Sequence, residues 1–115
     1  MIKITLTTIC GTDVHILKGE HKVEPGLTLG HEPIGVISGL GVGMSWSYKI
    51  GDRVLVSAIT PCGQYGNCPH CDGKPLGGWK YGNTIDGCHA EYLLVPHAMA
   101  NLTPIPDDLT DEQVC

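Results

Sequence analysis

From the second residue the chain alternates: Ile2, Ile4 and Leu6 fall on one side, and Lys3, Thr5 and Thr7 on the other. This two-residue period predicts a half-buried strand over Ile2 to Thr8. Pro33 to Leu40, Arg53 to Ile59 and Ala90 to Val95 are further segments rich in β-branched residues and divided by Gly and Pro, and they are predicted as strands too. Helical character is confined to two places. One is a turn or two around Thr12 to Leu17. The other begins at Thr110-Asp111-Glu112-Gln113, where Thr and Gln three apart form a capping box. The pattern predicts a mainly all-β fold with one or two short helices. A capped helix that reaches only Cys115 does not offset its nucleation cost, so the polypeptide is expected to be part of something longer.

Sixteen glycines and eight prolines, spread without a fixed period, imply many turns rather than a linker or a repeat. Gly39-Leu40-Gly41-Val42-Gly43 follows a strand, but Met44 occupies the place of the third glycine of G-x-G-x-x-G and no amphipathic helix follows. The run is therefore read as a β-turn and not as a phosphate loop.

Composition narrows the classes. A chain of 115 residues with 42% apolar content suits one domain that buries roughly two-thirds of its unfolded surface. The formal charge of −5 is interspersed, without the basic stripe that nucleic acid requires or the polybasic anchor a membrane would hold. The longest apolar runs, such as Tyr92-Leu93-Leu94-Val95, fall far short of the roughly 20 residues of a membrane span. No signal-peptide core opens the chain, so a cytoplasmic address is expected. Six cysteines admit a disulfide framework, but that address disfavours it. Cys62, Cys68 and Cys71 are also bunched as for chelation, and reduced thiols are expected.

Candidate chemistry concentrates in Cys10-Gly11-Thr12-Asp13-Val14-His15 and Gly30-His31-Glu32. A soft thiolate and a neutral imidazole are ligand types that Zn²⁺ prefers, and a hydroxyl, two carboxylates and a second imidazole surround them. If Thr12 to His15 is a helical turn, the i,i+3 spacing puts the hydroxyl and the imidazole on one face, where they can pass a proton. Asp13 has two readings: the carboxylate that orients His31 through its other ring nitrogen, or a capping Asp at the start of the turn.

These segments, with Gly35, Gly51-Asp52-Arg53-Val54, Gly78-Trp79 and Asp86-Gly87-Cys88-His89-Ala90-Glu91-Tyr92, resemble the N-terminal, GroES-like catalytic domain of zinc-dependent medium-chain alcohol dehydrogenases. They run in family order across nearly the whole chain. The Gly-Trp and Asp-Gly-x-x-Ala-Glu-Tyr segments look closest to the formaldehyde, threonine or secondary-alcohol dehydrogenase branches. The resemblance implies a partly open β-barrel over residues 1–115, incomplete at both ends. Cys10 and His31 would be ligands of a catalytic zinc, and Glu32 a carboxylate that approaches the metal during ligand exchange. Thr12 and His15 would form a proton relay. Trp79 would line the substrate pocket, although a core or surface-covering Trp remains open.

Three departures from the family pattern affect what the chain does alone. The third catalytic ligand in related branches is a Cys or Asp beyond the helix that begins near Thr110, and Cys115 falls short of it. The structural-zinc lobe, spaced C-x2-C-x2-C-x7-C in the family, survives over residues 60–78 as a remnant. Cys62, Cys68 and Cys71 keep three places in it, and Tyr65 stands in the second. A fourth ligand would have to be recruited from His70, Asp72 or a partner; otherwise the lobe holds no metal. The nucleotide-binding domain that places NAD or NADP is also missing, and hydride chemistry belongs to that cofactor.

The expected function is the catalytic portion of an NAD(P)-linked alcohol dehydrogenase, interconverting a small alcohol with its aldehyde or ketone in the complete enzyme and without turnover alone. Zn²⁺ is the expected cofactor. NAD or NADP would enter only through a separate or missing cofactor domain, and an exposed sheet edge would serve a second copy or that domain. The alternatives are a stand-alone zinc-binding or interaction module and, behind it, a disulfide-stapled binding protein.

Overall fold

The alternation at the start becomes β1 (Ile2–Thr7), which leads into the seven-residue helix α1 (Gly11–Leu17). β2 (Pro33–Ile37) and β3 (Arg53–Val56) follow in this computed structural model, which describes residues 1–63 and 78–115. β4 (Tyr92–Leu93), the one-turn helix α2 (Ala98–Asn101), β5 (Leu102–Pro104) and α3 (Asp111–Val114) complete the chain. All four predicted strands are present, each shorter than its sequence segment. Gly39 to Gly43 is a turn: the Met44 N–H donates to the Gly41 carbonyl at 3.2 Å, and a single 3₁₀ turn, Met44–Trp46, follows. No α-helix stands there to receive a phosphate.

The five strands form one open antiparallel sheet in the order β4-β1-β2-β3-β5. β1 pairs with β2 through Ile2↔Ile37 and Ile4↔Gly35, and the register then shifts so that Leu6 faces Ile34. Gly35 is needed at this crossing, because a Cβ there would lie 2.3 Å from the Lys3 carbonyl oxygen. The alternation turns Ile2, Ile37, Val54, Val56 and Leu93 into the core, where the loop residues Tyr81 and Cys88 complete the packing. Each such aliphatic side chain is worth about 1.5–3 kcal/mol when fully buried. Burial beside the Cys88 thiol pushes the Tyr81 phenol well above its usual range, so both groups stay neutral.

The chain's last turn is strapped to the sheet. Thr110 N–H donates to Gln113 Oε1 at 2.9 Å, the reciprocal half of the predicted capping box. Asp111 accepts the Thr5 hydroxyl at 2.5 Å and the Arg53 guanidinium at 2.7 Å, and Arg53 also donates to the Leu109 carbonyl at 2.8 Å. The Thr5 hydrogen bond and then the Arg53 contacts hold the Asp111 carboxyl below its ordinary value. Chain on either side of residues 64–77 is pinned together at Thr60, whose N–H and hydroxyl both donate to the Gly78 carbonyl, at 2.8 and 2.5 Å. Among the described residues no helix is long and apolar enough to cross a membrane.

Candidate metal centre

Cys10 is the residue from which α1 starts, in extended conformation at φ −83° and ψ 158°. Asp13, three positions on and 2% exposed, accepts the Cys10 N–H through Oδ2 at 2.8 Å. Its other oxygen accepts the Gly30 N–H at 3.2 Å and lies 3.8 Å from His31 Nδ1. One buried carboxylate therefore caps the helix and also ties the Cys10 segment to the His31 segment. The 3.8 Å approach is too long for a hydrogen bond. The capping reading of Asp13 matches its hydrogen bond with the Cys10 N–H, and its Oδ1 also stands on the Nδ1 side of His31.

The turn that presents His31 depends on bare backbone. Gly30 has φ +95°, and a Cβ there would fall 2.4 Å from Cδ2 of His89, whose ring occupies that space. The Cys88 N–H donates to the Gly30 carbonyl and the His89 N–H to the Leu29 carbonyl, each at 2.9 Å. This lays residues 28–31 against residues 86–89. Gly87 is required by the same approach, since its Cβ would lie 2.2 Å from the Gly30 oxygen.

Ligand-type atoms of Cys10, His31 and Glu32 all lie within 4.8 Å of one another. A tetrahedral ion with bonds of about 2.0–2.3 Å spans such a set after small rotamer adjustments, and thiolate, imidazole and carboxylate suit zinc. His31 is 7% exposed. The Thr8 hydroxyl donates to the Glu32 carboxylate and fixes it beside the pair. The residues present fit a zinc ion.

A pocket of about 280 Å³ opens on this cluster, lined by Thr12, His21, Ala58, Ile59 and Trp79 together with His31 and Glu32. Thr12 Oγ1 lies 3.7 Å from the Cys10 sulfur, so the hydroxyl sits at the thiol end. His15 is outside the pocket lining, half-exposed, with Nδ1 on the Glu20 carboxylate. Trp79 donates from Nε1 to the Tyr81 carbonyl at 2.9 Å and turns its ring into the pocket wall. His21 was not singled out from the sequence. It stands in the polar stretch Glu20-His21-Lys22, with no motif or periodicity to mark it, and only its tertiary contact with Trp79, ring centroids 6.2 Å apart, brings it to the site.

A larger cavity, about 1020 Å³, lies between the Gly39–Val42 turn and α2 and includes Cys62 but none of the three clustered ligands. Size alone would favour it, but the donor groups favour the smaller one. Cys10, Cys88 and Cys115 are thiols and not disulfide partners. Cys88 is fully buried, and burial pushes its thiol up despite the Thr7 hydroxyl 3.0 Å away, so it belongs to the core. Cys68 and Cys71 of the expected second zinc site lie outside the described residues, as do Tyr65, His70 and Asp72.

Residues 1–107 match the model of the alcohol dehydrogenase GroES-like domain. An alcohol dehydrogenase of Cupriavidus necator is 53% identical over 99% of this chain and 36% of its own length. An L-threonine 3-dehydrogenase of Xanthomonas axonopodis is 38% identical over 97% of the chain and 34% of its own. The apo form of zinc-dependent alcohol dehydrogenase 2 from Streptococcus pneumoniae superposes with a TM-score of 0.80 at 45% identity, covering 96% of this chain and 32% of that one. The chain thus spans about a third of the length of the relatives it matches. By the match to 107 of its residues, by its open antiparallel sheet and by these relatives, the chain belongs to the alcohol dehydrogenase GroES-like domain family.

Proposed function

We propose that this chain is the zinc-binding catalytic portion of an alcohol dehydrogenase that interconverts a small alcohol with its aldehyde or ketone. The observation that supports it is the convergence of ligand atoms of Cys10, His31 and Glu32 within 4.8 Å of one another, with His31 and Glu32 also lining a pocket to which Ala58, Ile59 and Trp79 contribute apolar wall. Cys10 and His31 hold the metal, His31 through Nε2 because Nδ1 faces Asp13. Glu32, tethered by Thr8, would be a further carboxylate within reach of the metal. Bound zinc supplies Lewis-acid polarisation of the alcohol oxygen, which lowers its pKa. A nicotinamide, NAD or NADP, is the hydride acceptor, and its binding unit is a further domain or partner.

Thr12 is the first proton carrier, being the hydroxyl at the thiol end of the pocket. His15, one helical turn on, passes the proton to solvent, with the Glu20 carboxylate on its Nδ1 orienting the imidazole. Ala58, Ile59 and Trp79 exclude water from the carbon substituents.

Titration with cobalt(II) tests the centre. The chain should develop thiolate-to-cobalt absorption, and Cys10→Ser should remove one component of it and weaken zinc retention at least tenfold, in the range of about 10–100-fold typical for perturbed sites. Absorption and zinc content unchanged by Cys10→Ser would overturn the assignment, since the metal would then sit on other cysteines.

A further inference from the structure

We infer that two copies of this chain associate through β4, laid antiparallel about a two-fold axis at Leu93 so that their sheets run on into one another. The two edges of the sheet differ in what protects them. β5 ends in Pro104, which has no N–H to offer and discourages pairing at an edge. β4 with its flanking residues, Glu91-Tyr92-Leu93-Leu94-Val95, holds neither proline nor lysine. Its side chains alternate: Leu93 and Val95 are buried, while Tyr92 and Leu94 are 48% and 75% exposed on the opposite face.

The backbone follows the same alternation. β1 pairs with β4 through Ile2↔Leu93 and Lys3↔Tyr92, and the Ile4 N–H donates to the Glu91 carbonyl at 2.9 Å. Glu91 and Leu93 therefore direct their backbone groups at β1, and Tyr92 and Leu94 turn theirs away from it. Among the described residues no hydrogen-bond partner meets those outward N–H and carbonyl groups.

A second β4 in antiparallel order meets this pattern at each position. With Leu93 facing its own counterpart, Tyr92 of either copy stands opposite Leu94 of the other, and each such pair exchanges two backbone hydrogen bonds. Because Tyr92 and Leu94 share a face, the same register sets an aromatic ring against an exposed aliphatic side chain on both sides of the axis. Glu91 falls opposite Val95, so no like charges meet. Pro96, without an N–H, ends the pairing there. A slip of one residue would set outward groups against inward ones. Neither Tyr92 nor Leu94 belongs to the ligand cluster or lines its pocket, so the contact is independent of the proposed function.

So short a contact belongs to the weak, transient class, and the dimer is expected at about 0.1–1 mM chain. Sedimentation equilibrium of the chain, with reductant to keep the exposed Cys115 from cross-linking, should show monomer and dimer in exchange over that range. Amide NMR over the same concentrations should shift and protect the Tyr92 and Leu94 N–H groups and leave that of Leu93 unchanged. The double variants Tyr92→Lys/Leu94→Lys and Tyr92→Glu/Leu94→Glu each put like charges opposite one another, and each should dimerise at least about tenfold more weakly. Mixed in equal amounts they should associate at least as tightly as the parent, which also shows that both are folded. A chain that stays monomeric to about 1 mM, a dimer whose Tyr92 and Leu94 amides do not respond, assembly beyond dimers, or a mixture no better than either variant alone would each overturn the inference.

Discussion

Replacing Asp13 by alanine perturbs fold and site at a single point, and its effect follows from three contacts. The carboxylate accepts the Cys10 N–H at 2.8 Å and the Gly30 N–H at 3.2 Å, and lies 3.8 Å from His31 Nδ1, with the residue 2% exposed. An unsatisfied buried donor costs about 1–3 kcal/mol. Cys10 is partly accessible and can recruit water, which places it near about 1 kcal/mol, while the fully buried Gly30 N–H lies nearer about 2 kcal/mol. The expected loss is therefore about 3 kcal/mol, or a fall of about 2 M in the urea midpoint for a slope near 1.5 kcal/mol/M. Metal retention should suffer separately, because the segments bearing Cys10 and His31 lose their common tether, and about 10–100-fold in zinc affinity is expected. Urea unfolding of the apo chain followed by circular dichroism measures the first, and chelator competition under folding conditions the second. Asp13→Asn keeps one acceptor and should recover roughly half the stability but little of the metal affinity, since the charge facing His31 is gone. A midpoint within 0.3 M of the parent, roughly the uncertainty of the extrapolation, together with zinc affinity within twofold, would refute the tether.

Gly87→Ala should be worse than an ordinary surface change, because its Cβ would lie 2.2 Å from the Gly30 oxygen and 2.5 Å from the Leu29 oxygen, both backbone atoms. Separating the two segments should cost about 3 kcal/mol or more in thermal or urea unfolding, and a loss under about 0.5 kcal/mol would show that the approach is not needed. Asp111 should make stability acid-sensitive. Its folded pKa is held below the ordinary 3.8, so the native state binds fewer protons; the contribution is present above that value and disappears as pH falls through the lower folded one. Asp111→Asn should cost about 1 kcal/mol at pH 7 and flatten the acid limb of the stability curve, the two proteins converging as pH falls below the ordinary carboxylate range. Parallel curves across that range would remove Asp111 as the cause.

What the sequence revealed and concealed divides along a physical line. β1 was readable because one face is buried and the other is not, so Ile2, Ile4 and Leu6 alternate with polar neighbours. α1 was readable because Asp13 at its third position returns a hydrogen bond to the residue that starts it. β5 was not readable, being Leu102-Thr103-Pro104: three residues ended by a proline that edge strands tolerate and propensity penalises. α2 is one turn entered from His97 in the left-handed region at φ 48°, a conformation that no local pattern announces. The cluster of Cys10, His31 and Glu32 was legible because thiol, imidazole and carboxylate are groups whose chemistry limits their use. His21 was not, since an imidazole in a polar loop gains meaning only from Trp79, far along the chain.

The same line explains why the site is built from glycines as much as from ligands. Cys10 and His31 come from segments far apart in sequence, and the antiparallel β1–β2 pairing, which ends at Thr7↔Pro33, brings both to the same end of the sheet. Their separation is then set by one carboxylate between them and by the stacking of residues 28–31 on 86–89, which works only where Gly30 and Gly87 leave space for backbone oxygens and for the His89 ring. Ligand chemistry alone would let either side chain be supplied from elsewhere, but the geometry would not follow. A variant that keeps Cys10 and His31 while filling Gly87 should therefore lose metal binding almost as fully as one lacking a ligand, even though every donor atom is present.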